Sequence, residues 1–421
     1  MVLRFVAGAL LGLALAGCGE TGDQATDDPG HATPYPATDP DPAIADPLAG
    51  LVPGWNVFEP GGDTACSDGS PYRFFVRPGD PAKLLVYFQG GGACWFGASC
   101  DLHLDPSYKP TVETNEMDRY GGIFEFDNPE NPFADYSVVV APYCSADVHL
   151  GNNVATYEAP AREAAPAQGE QDAVPSHDAH PVTIQHKGVV NAQAALDWTY
   201  DHFGDPDEIF VTGSSAGAIP SPYYAWKIAD HYPDARIAQL GDGAGGYRRD
   251  NRLAVAERPH GGYRRGGGEV NATRLELWGT LDHLRQYPEF ADLSEDDFTY
   301  EQLYVVAAKR HPEILFAEYD AAEDAVQKRF LAMGGSDVET LRDSLLANHA
   351  DIRAEVSNFR AYVAGGESHT ILARPEFYTF QVGGARIRDW VADLADFRDV
   401  ADVICSDCAE PELVPAPPEG R

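Results

Sequence analysis

Positive charge is scarce in this chain. It carries 30 Lys and Arg against 66 Asp and Glu, a formal net charge of −36. Phosphate backbones are bound by basic surfaces, so nucleic acid is not expected as a partner. Long apolar runs are lacking too. Phe5 to Leu15 is apolar but falls short of the ~20 residues that a membrane-spanning helix needs. Gly19 to Gly50 has few large apolar residues and is rich in Asp, Pro, Thr and Ala. Such a segment cannot bury enough surface to offset its ordering entropy. Metal-ligand pairs are sparse: Cys405-x-x-Cys408 has no second pair at zinc spacing. No cofactor and no metal are expected.

What is present begins with Arg4, the apolar run and Leu15-Ala16-Gly17-Cys18, which resembles the lipobox of bacterial lipoproteins. Residues 1–17 then read as a signal peptide and Cys18 as the lipidated residue. Residues 18–50 read as a flexible tether, 51–412 as the folded body and 413–421 as a flexible tail. The expectation is an exported monomer on a bacterial membrane, periplasmic or at the cell surface, touching lipid only through its anchor. Besides Cys18 there are Cys66, Cys94, Cys100, Cys144, Cys405 and Cys408. In an exported chain an even set reads as disulfides, but six cysteines allow about 15 connectivities and the sequence alone does not choose.

The pattern of the body is that of strands alternating with helices. Pro71–Arg77, Lys83–Phe88, Tyr136–Ala141, Arg236–Leu240, Glu313–Tyr319 and Asn358–Ala364 read as strands, the last of these ending the sheet. Gly188–His202 has helical periodicity. The near-continuous apolar strands predict an α/β fold with a doubly wound, mainly parallel sheet of the α/β-hydrolase type and helices on both faces. Ala155 to Val182 is rich in Ala, Pro and Glu and reads as a surface excursion. His177, His180 and His186 fall in or beside it. Metal binding is one reading of the three, but they read first as solvated loop residues, because nothing in the sequence orients their rings.

The chemistry centres on Val211-Thr212-Gly213-Ser214-Ser215-Ala216-Gly217, a strand running into Gly-x-Ser-x-Gly and then a helix-compatible stretch, Tyr223–His231. This is the nucleophile-elbow pattern, in which a sharp turn lifts the Ser215 hydroxyl above the sheet. Gln89-Gly90-Gly91-Gly92-Ala93-Cys94 follows an earlier strand. Amides near Gly91 and Gly92, with that of Ala216, are candidate oxyanion donors. Asp320, Asp324 and His369 lie at the ends of later strands, so the order Ser, Asp, His is that of α/β-hydrolases. His369 is the candidate base and an aspartate its partner, and the residues alone leave Asp320 and Asp324 both open.

Several stretches together resemble the pectin acetylesterase/Notum family of secreted carboxylesterases, most nearly its bacterial branch. They are Cys66-Ser67-Asp68-Gly69-Ser70-Pro71, the Gln89–Cys100 loop, Pro142-Tyr143-Cys144-Ser145-Ala146-Asp147-Val148, Gly213–Gly217, Asp324-x-x-Gln327 and Ser368-His369. The resemblance implies a serine esterase with Ser215, Asp324 and His369 as its triad, the acid falling on the Asp that precedes x-x-Gln. It also implies the pairs Cys66–Cys144 and Cys94–Cys100, leaving Cys405 for Cys408. Ala93 stands where the family often has Trp, and Pro220 and Pro222 are unusual so soon after the nucleophile. The expected function is O-acetylester hydrolysis on a polysaccharide or similar ester. A lipase acting on longer chains, a serine peptidase and an inactive binding protein on the same fold are the alternatives. Arg248, Arg249, Arg252, Arg258, Arg264 and Arg265 form a cationic stretch suited to recruiting an anionic substrate.

Overall fold

β-Branched and aromatic residues build the centre of the molecule, because their side chains pack well on a pleated surface. In the computed structural model the strands are β1 (Asn56–Phe58), β2 (Phe74–Arg77), β3 (Asp80–Phe88), β4 (Tyr136–Ala141), β5 (Asn153–Ala159), β6 (His180–His186), β7 (Glu208–Ser214) and β8 (Arg236–Asp242). There follow the two-residue pair β9 (Arg264–Arg265) and β10 (Gly268–Glu269), then β11 (Leu315–Ala321), β12 (Phe359–Ala364), β13 (Phe380–Val382), β14 (Ala385–Arg386), β15 (Val403–Ile404) and β16 (Glu412–Leu413). The helices are α1 (Gly97–Cys100), α2 (Gly188–His202), α3 (Ser221–His231), α4 (Arg274–Trp278), α5 (Thr280–Leu284), α6 (Tyr300–Arg310), α7 (Ala325–Met333), α8 (Leu341–Glu355) and α9 (Ile387–Ala395).

The structure describes residues 48–102, 107–163, 176–248, 264–265, 268–269, 274–292, 298–334, 336 and 340–414, all within the unit Ile44–Arg421. The signal segment, Cys18, Arg249, Arg252, Arg258 and the tail from 415 lie outside the described residues. So do the side chains of Arg264 and Arg265.

Among the described residues a nine-stranded sheet runs β1-β2-β4-β3-β7-β8-β11-β12-β15. From β4 to β15 every neighbour is parallel, while β1 and β2 close the other edge antiparallel. This is the mainly parallel α/β-hydrolase-like sheet expected from the sequence. Val138, Val139, Val140, Val211, Leu240 and Val363 have no solvent exposure, as a sheet covered on both faces requires. Register brings Phe88 beside Gly213, Ser214 beside Asp242 and Ala321 beside Ala364. The carboxyl ends of five strands, β3, β7, β8, β11 and β12, are thereby aligned at one edge, where open α/β sheets hold their ligands.

Two expectations are corrected. The supposed surface excursion contributes a seven-residue hairpin, β5 paired with β6, whose Ala155, Tyr157, Ala159, Val182, Ile184 and His186 point inward. Its period-2 alternation is weak in the sequence, since alanines take two inward positions and Val154 an outward one. Asn358–Ala364 is also not the last strand, because β15 pairs beyond it. Two residues are too few to carry a periodic signal. Pro220 and Pro222 are accommodated without breaking α3: Pro220 is its N-cap and Pro222 sits in the first turn, where an amide hydrogen is dispensable.

Cys66 is bonded to Cys144, Cys94 to Cys100 and Cys405 to Cys408, the pairs that the resemblance implies. They constrain the unfolded chain very differently, spanning 78, 6 and 3 residues. Replacing Cys66 and Cys144 by Ser should lower unfolding free energy by about 4 kcal/mol, and replacing Cys405 and Cys408 by less than about 2 kcal/mol. Chemical denaturation of the two double variants checks the order.

Candidate active site

Ser215 sits at the end of β7 with φ of 54°, a left-handed conformation uncommon for a residue with a side chain. Its neighbours make that turn possible only because they lack a Cβ. One built on Gly213 would lie 2.2 Å from the Gly217 carbonyl oxygen, and one on Gly217 2.0 Å from that of Phe88. One on Gly90 would lie 2.8 Å from the Ser215 Cβ. The backbone of the glycine loop after β3 is thus pressed directly against the nucleophile turn. A short 3₁₀ turn, Ser215–Gly217, intervenes before α3, so Ala216 sits in that turn and not at the α-helix end itself.

β11 and β12 deliver the other two residues. Asp324 is the N-cap of α7: its Oδ1 accepts the amides of Val326 and Gln327 at 2.9 and 3.0 Å. Its Oδ2 accepts Gln327 Nε2 at 3.1 Å and faces His369 Nδ1 at 2.7 Å. The carboxylate is wholly buried, and against an acceptor His369 carries its proton on Nδ1. That leaves the lone pair on Nε2, which is buried without a hydrogen-bond partner among the described residues. Asp320 does not reach the histidine. It lies inside β11, held by Gln327 Nε2 at 2.8 Å and Gly245 N at 3.0 Å, and burial together with Glu318 pushes its carboxyl well above the usual range.

Two cavities meet at Ser215. One, of about 150 Å³, is lined by Trp95, Ile219, Trp278, Phe298, Phe330 and Leu331 along with Gly92, Ala93 and Ala216. The other, of about 580 Å³, is lined by Gly91, Gly92, Ser215 and His369 and carries Arg119, Arg329 and Arg374. Arg248 borders the smaller cavity, but its guanidinium is committed to α8 through Asn348 Oδ1 at 2.8 Å and Asp351 Oδ2 at 2.9 Å.

The oxyanion candidates are held by groups that sequence reading left without a role. Gly92 has φ of +81°, and a Cβ there would lie 1.9 Å from the Ser107 carbonyl oxygen. The Gln89 carbonyl accepts from His149 Nε2 at 2.8 Å, and Gln89 Oε1 accepts from Tyr143 N at 3.0 Å. Ala146, Val148 and His149 all have positive φ. Three such residues within four are a costly arrangement that surrounding bonds must hold. Tyr224 OH donates to the His149 carbonyl at 2.7 Å, and buried Asp147 accepts Ser145 Oγ, His149 N and Gly188 N. The Pro142–Val148 motif was legible, but nothing in it announced these bonds.

Asp242 was missed entirely. It ends β8, is fully buried, and accepts Ser214 Oγ at 2.7 Å, Ile371 N at 2.9 Å and Leu372 N at 3.1 Å. It therefore ties the residue before the nucleophile to the loop after His369. Ser214 in turn accepts from Tyr87 OH at 2.9 Å. A Gly-Asp-Gly after a strand reads as a turn, and only the register beside Ser214 exposes its use. The Cys405–Cys408 loop supports the same histidine loop, since Gly366 N donates to the Cys408 carbonyl at 2.9 Å.

The pectinacetylesterase family pattern matches residues 59–258, which hold Ser215 and the glycine loop but stop short of Asp324 and His369. A palmitoleoyl-protein carboxylesterase, Notum of Schmidtea mediterranea, is 31% identical over 97 residues, 21% of this chain and 18% of that protein. Notum2 of Xenopus laevis, also a palmitoleoyl-protein carboxylesterase, is 30% identical over 91 residues, 21% of this chain and 19% of that protein. The matched stretch is thus about a fifth of either relative's length. Two crystal forms of the Wnt deacylase Notum from Drosophila share the fold, with TM-scores of 0.50 and 0.51 at 15% and 16% identity. They cover 82% and 83% of this chain and are themselves covered over 94% and 95%.

The Asp242 clamp is testable without reference to any substrate class. Burial raises its carboxyl to about 6 from 3.8 against the pull of its hydrogen bonds. A pKa raised on folding means that ionisation costs stability, from about pH 4 until it is complete above about 6. Asp242→Asn should be less stable than wild type at pH 4, and the gap in Tm should narrow towards pH 7. Ester turnover in the variant should fall between about tenfold and hundredfold with little change in KM, since Ser215 and His369 both lose alignment.

Proposed function

The chain belongs to the pectinacetylesterase/Notum family, and on that premise we infer that it is a serine carboxylesterase for short acyl esters. One observation carries the reading: His369, oriented at 2.7 Å by Asp324, lines the same cavity as Ser215. Ser215 Oγ attacks the ester carbonyl as His369 Nε2 takes its proton. Asp324 stabilises the imidazolium, and the amides of Gly91, Gly92 and Ala216 receive the oxyanion. His369 then gives the proton to the departing alcohol. Water, deprotonated by the same nitrogen, releases the acyl group as its acid.

The smaller cavity selects the acyl chain. A 150 Å³ apolar space is about the size that holds benzene, so it suits acetyl and chains of up to roughly six carbons. The palmitoleoyl group in the relatives' names is far larger. Ala93, where the family often has Trp, contributes to this wall. The larger cavity takes the alcohol part. Its Arg side chains suit a carboxylate-bearing polysaccharide, such as an acetylated polyuronate, and offset locally the field of a chain with net charge −36. With Arg248 engaged elsewhere, this role passes from the Arg-rich stretch to Arg329 and Arg374. Three disulfides among the described residues favour export, and we retain the lipid anchor at Cys18, the tether and a hydrolase body over 51–412 as part of the proposal.

On p-nitrophenyl esters, kcat/KM should peak between acetyl and hexanoyl and collapse by palmitoyl. A palmitoyl optimum would overturn the short-chain assignment. Ser215→Ala and Asp324→Asn should each lower kcat by about 10⁴, whereas Asp320→Asn, at a carboxyl bonded to Gln327 and Gly245 and not to the histidine, should cost far less. Equal damage from the two aspartate variants would remove Asp324 from the triad.

Arg329→Gln combined with Arg374→Gln should lower kcat/KM on an acetylated polyuronate about tenfold and leave p-nitrophenyl acetate unchanged, with added salt reproducing the loss in wild type. Equal losses on both substrates would refute the charge argument alone.

A further inference from the structure

Asp101 follows α1 directly, one residue after the Cys94–Cys100 bridge, and is completely buried. Two histidines from the foot of the β5–β6 hairpin meet it. His177 Nε2 lies 3.3 Å from Oδ2 and His180 Nε2 3.4 Å from Oδ1. Both rings are oriented from behind. Their Nδ1 atoms lie 3.1 and 3.0 Å from the single backbone carbonyl of Asp178. A carbonyl only accepts, so both Nδ1 atoms carry hydrogen, and each ring turns its Nε2 towards the carboxylate.

The geometry suits a metal ion. A tetrahedral site with bonds of about 2.0 Å has ligand–ligand edges of about 3.3 Å. The two N···O separations, one to each carboxylate oxygen, are near that length, and one ligand atom from each residue falls within 4.8 Å of the others. The rings stand at 83° to each other, converging and not stacking. Nδ1 bonded to a carbonyl, with Nε2 facing the ion, is how metal-bound histidines are commonly fixed. The supports are rigid: His177 exchanges two backbone bonds with Arg162 at 2.9 and 3.1 Å, and His180 opens β6 opposite Ala159. Two imidazoles and one carboxylate suit zinc better than calcium or magnesium, which prefer all-oxygen shells.

We propose that Asp101, His177 and His180 bind one Zn²⁺ ion, with water as fourth ligand, which clamps the disulfide loop next to the glycine loop onto the β5–β6 hairpin. The three line neither active-site cavity, so the ion stands apart from the esterase reading. A second cluster, Glu318, Asp320 and His349, is a poorer host. His349 Nε2 is already in direct hydrogen-bond contact with Glu318 Oε2 at 2.8 Å, and all three residues are sealed from solvent.

The test uses tag-free full-length protein stripped with a chelator and dialysed against Zn²⁺. Wild type should retain one ion per chain and gain Tm, and Co²⁺ should give the visible absorption of a tetrahedral site. His177→Gln combined with His180→Gln should weaken binding by roughly a hundredfold or more and abolish the Tm gain. Its circular dichroism and ester hydrolysis report on folding. X-ray absorption on the wild-type zinc form needs no variant and should show N/O donors with two imidazoles and no sulfur. Absence of stoichiometric binding, a sulfur-containing shell, or binding that survives the double change and is lost in His349→Gln would each overturn the proposal.

Discussion

Everything at the catalytic edge depends on how closely two backbones cross. β3 and β7 are adjacent parallel strands, and the loops leaving them touch without a side chain between them. Gly90, Gly213 and Gly217 remove the atoms that would forbid it, and Ser215 accepts a left-handed φ of 54° as the consequence. Strain of this kind costs about 1–3 kcal/mol per residue and persists only where neighbours over-determine it. Here Tyr87, Ser214 and Asp242 form a buried chain of hydrogen bonds beneath the turn, and Asp242 extends it to the histidine loop. The nucleophile and its base are thus positioned by one shared carboxylate as well as by their own strands.

Around that crossing the site divides its tasks by polarity. Aromatic and aliphatic side chains form most of the wall of the smaller space, which Arg248 and Arg274 also border, and Arg119, Arg329 and Arg374 line the larger one. Local sign matters more than the total. A polyanion approaching a chain of charge −36 is repelled at long range, but within about a Debye length of 8–10 Å the nearest guanidinium groups dominate.

The sheet was legible because buried parallel strands read as apolar runs, and Tyr136–Ala141 and Gly188–His202 have the bounds read from sequence. The nucleophile turn was legible because its glycines are obligatory. Less local features were not. The choice between Asp320 and Asp324 depends on whether a residue lies inside β11 or caps α7, a difference that four positions of sequence do not reveal. His177 and His180 looked unoriented because their orienting group is a main-chain carbonyl and their acidic partner sits far back in the chain at Asp101. Asp242 and the left-handed Ala146, Val148 and His149 are defined by tertiary bonds with no composition signature. The contacts of Arg248 with Asn348 and Asp351 were not legible either, because α8 arrives about a hundred residues later.

The histidine loop leans on a segment made much later than the nucleophile. The carbonyl of Cys408 holds Gly366, a Cβ on Gly365 would strike the Glu410 carbonyl oxygen at 2.2 Å, and Cys405 N bonds to Val363 at the end of β12. During synthesis the Ser215 turn therefore leaves the ribosome well before the residues that seat its base. A chain of which only the first half has been made holds the Ser215 turn without the segment that seats His369. The histidine loop gains its backing only when residues 405–411 emerge, so the order of synthesis by itself delays the joining of Ser215 and His369 into one site.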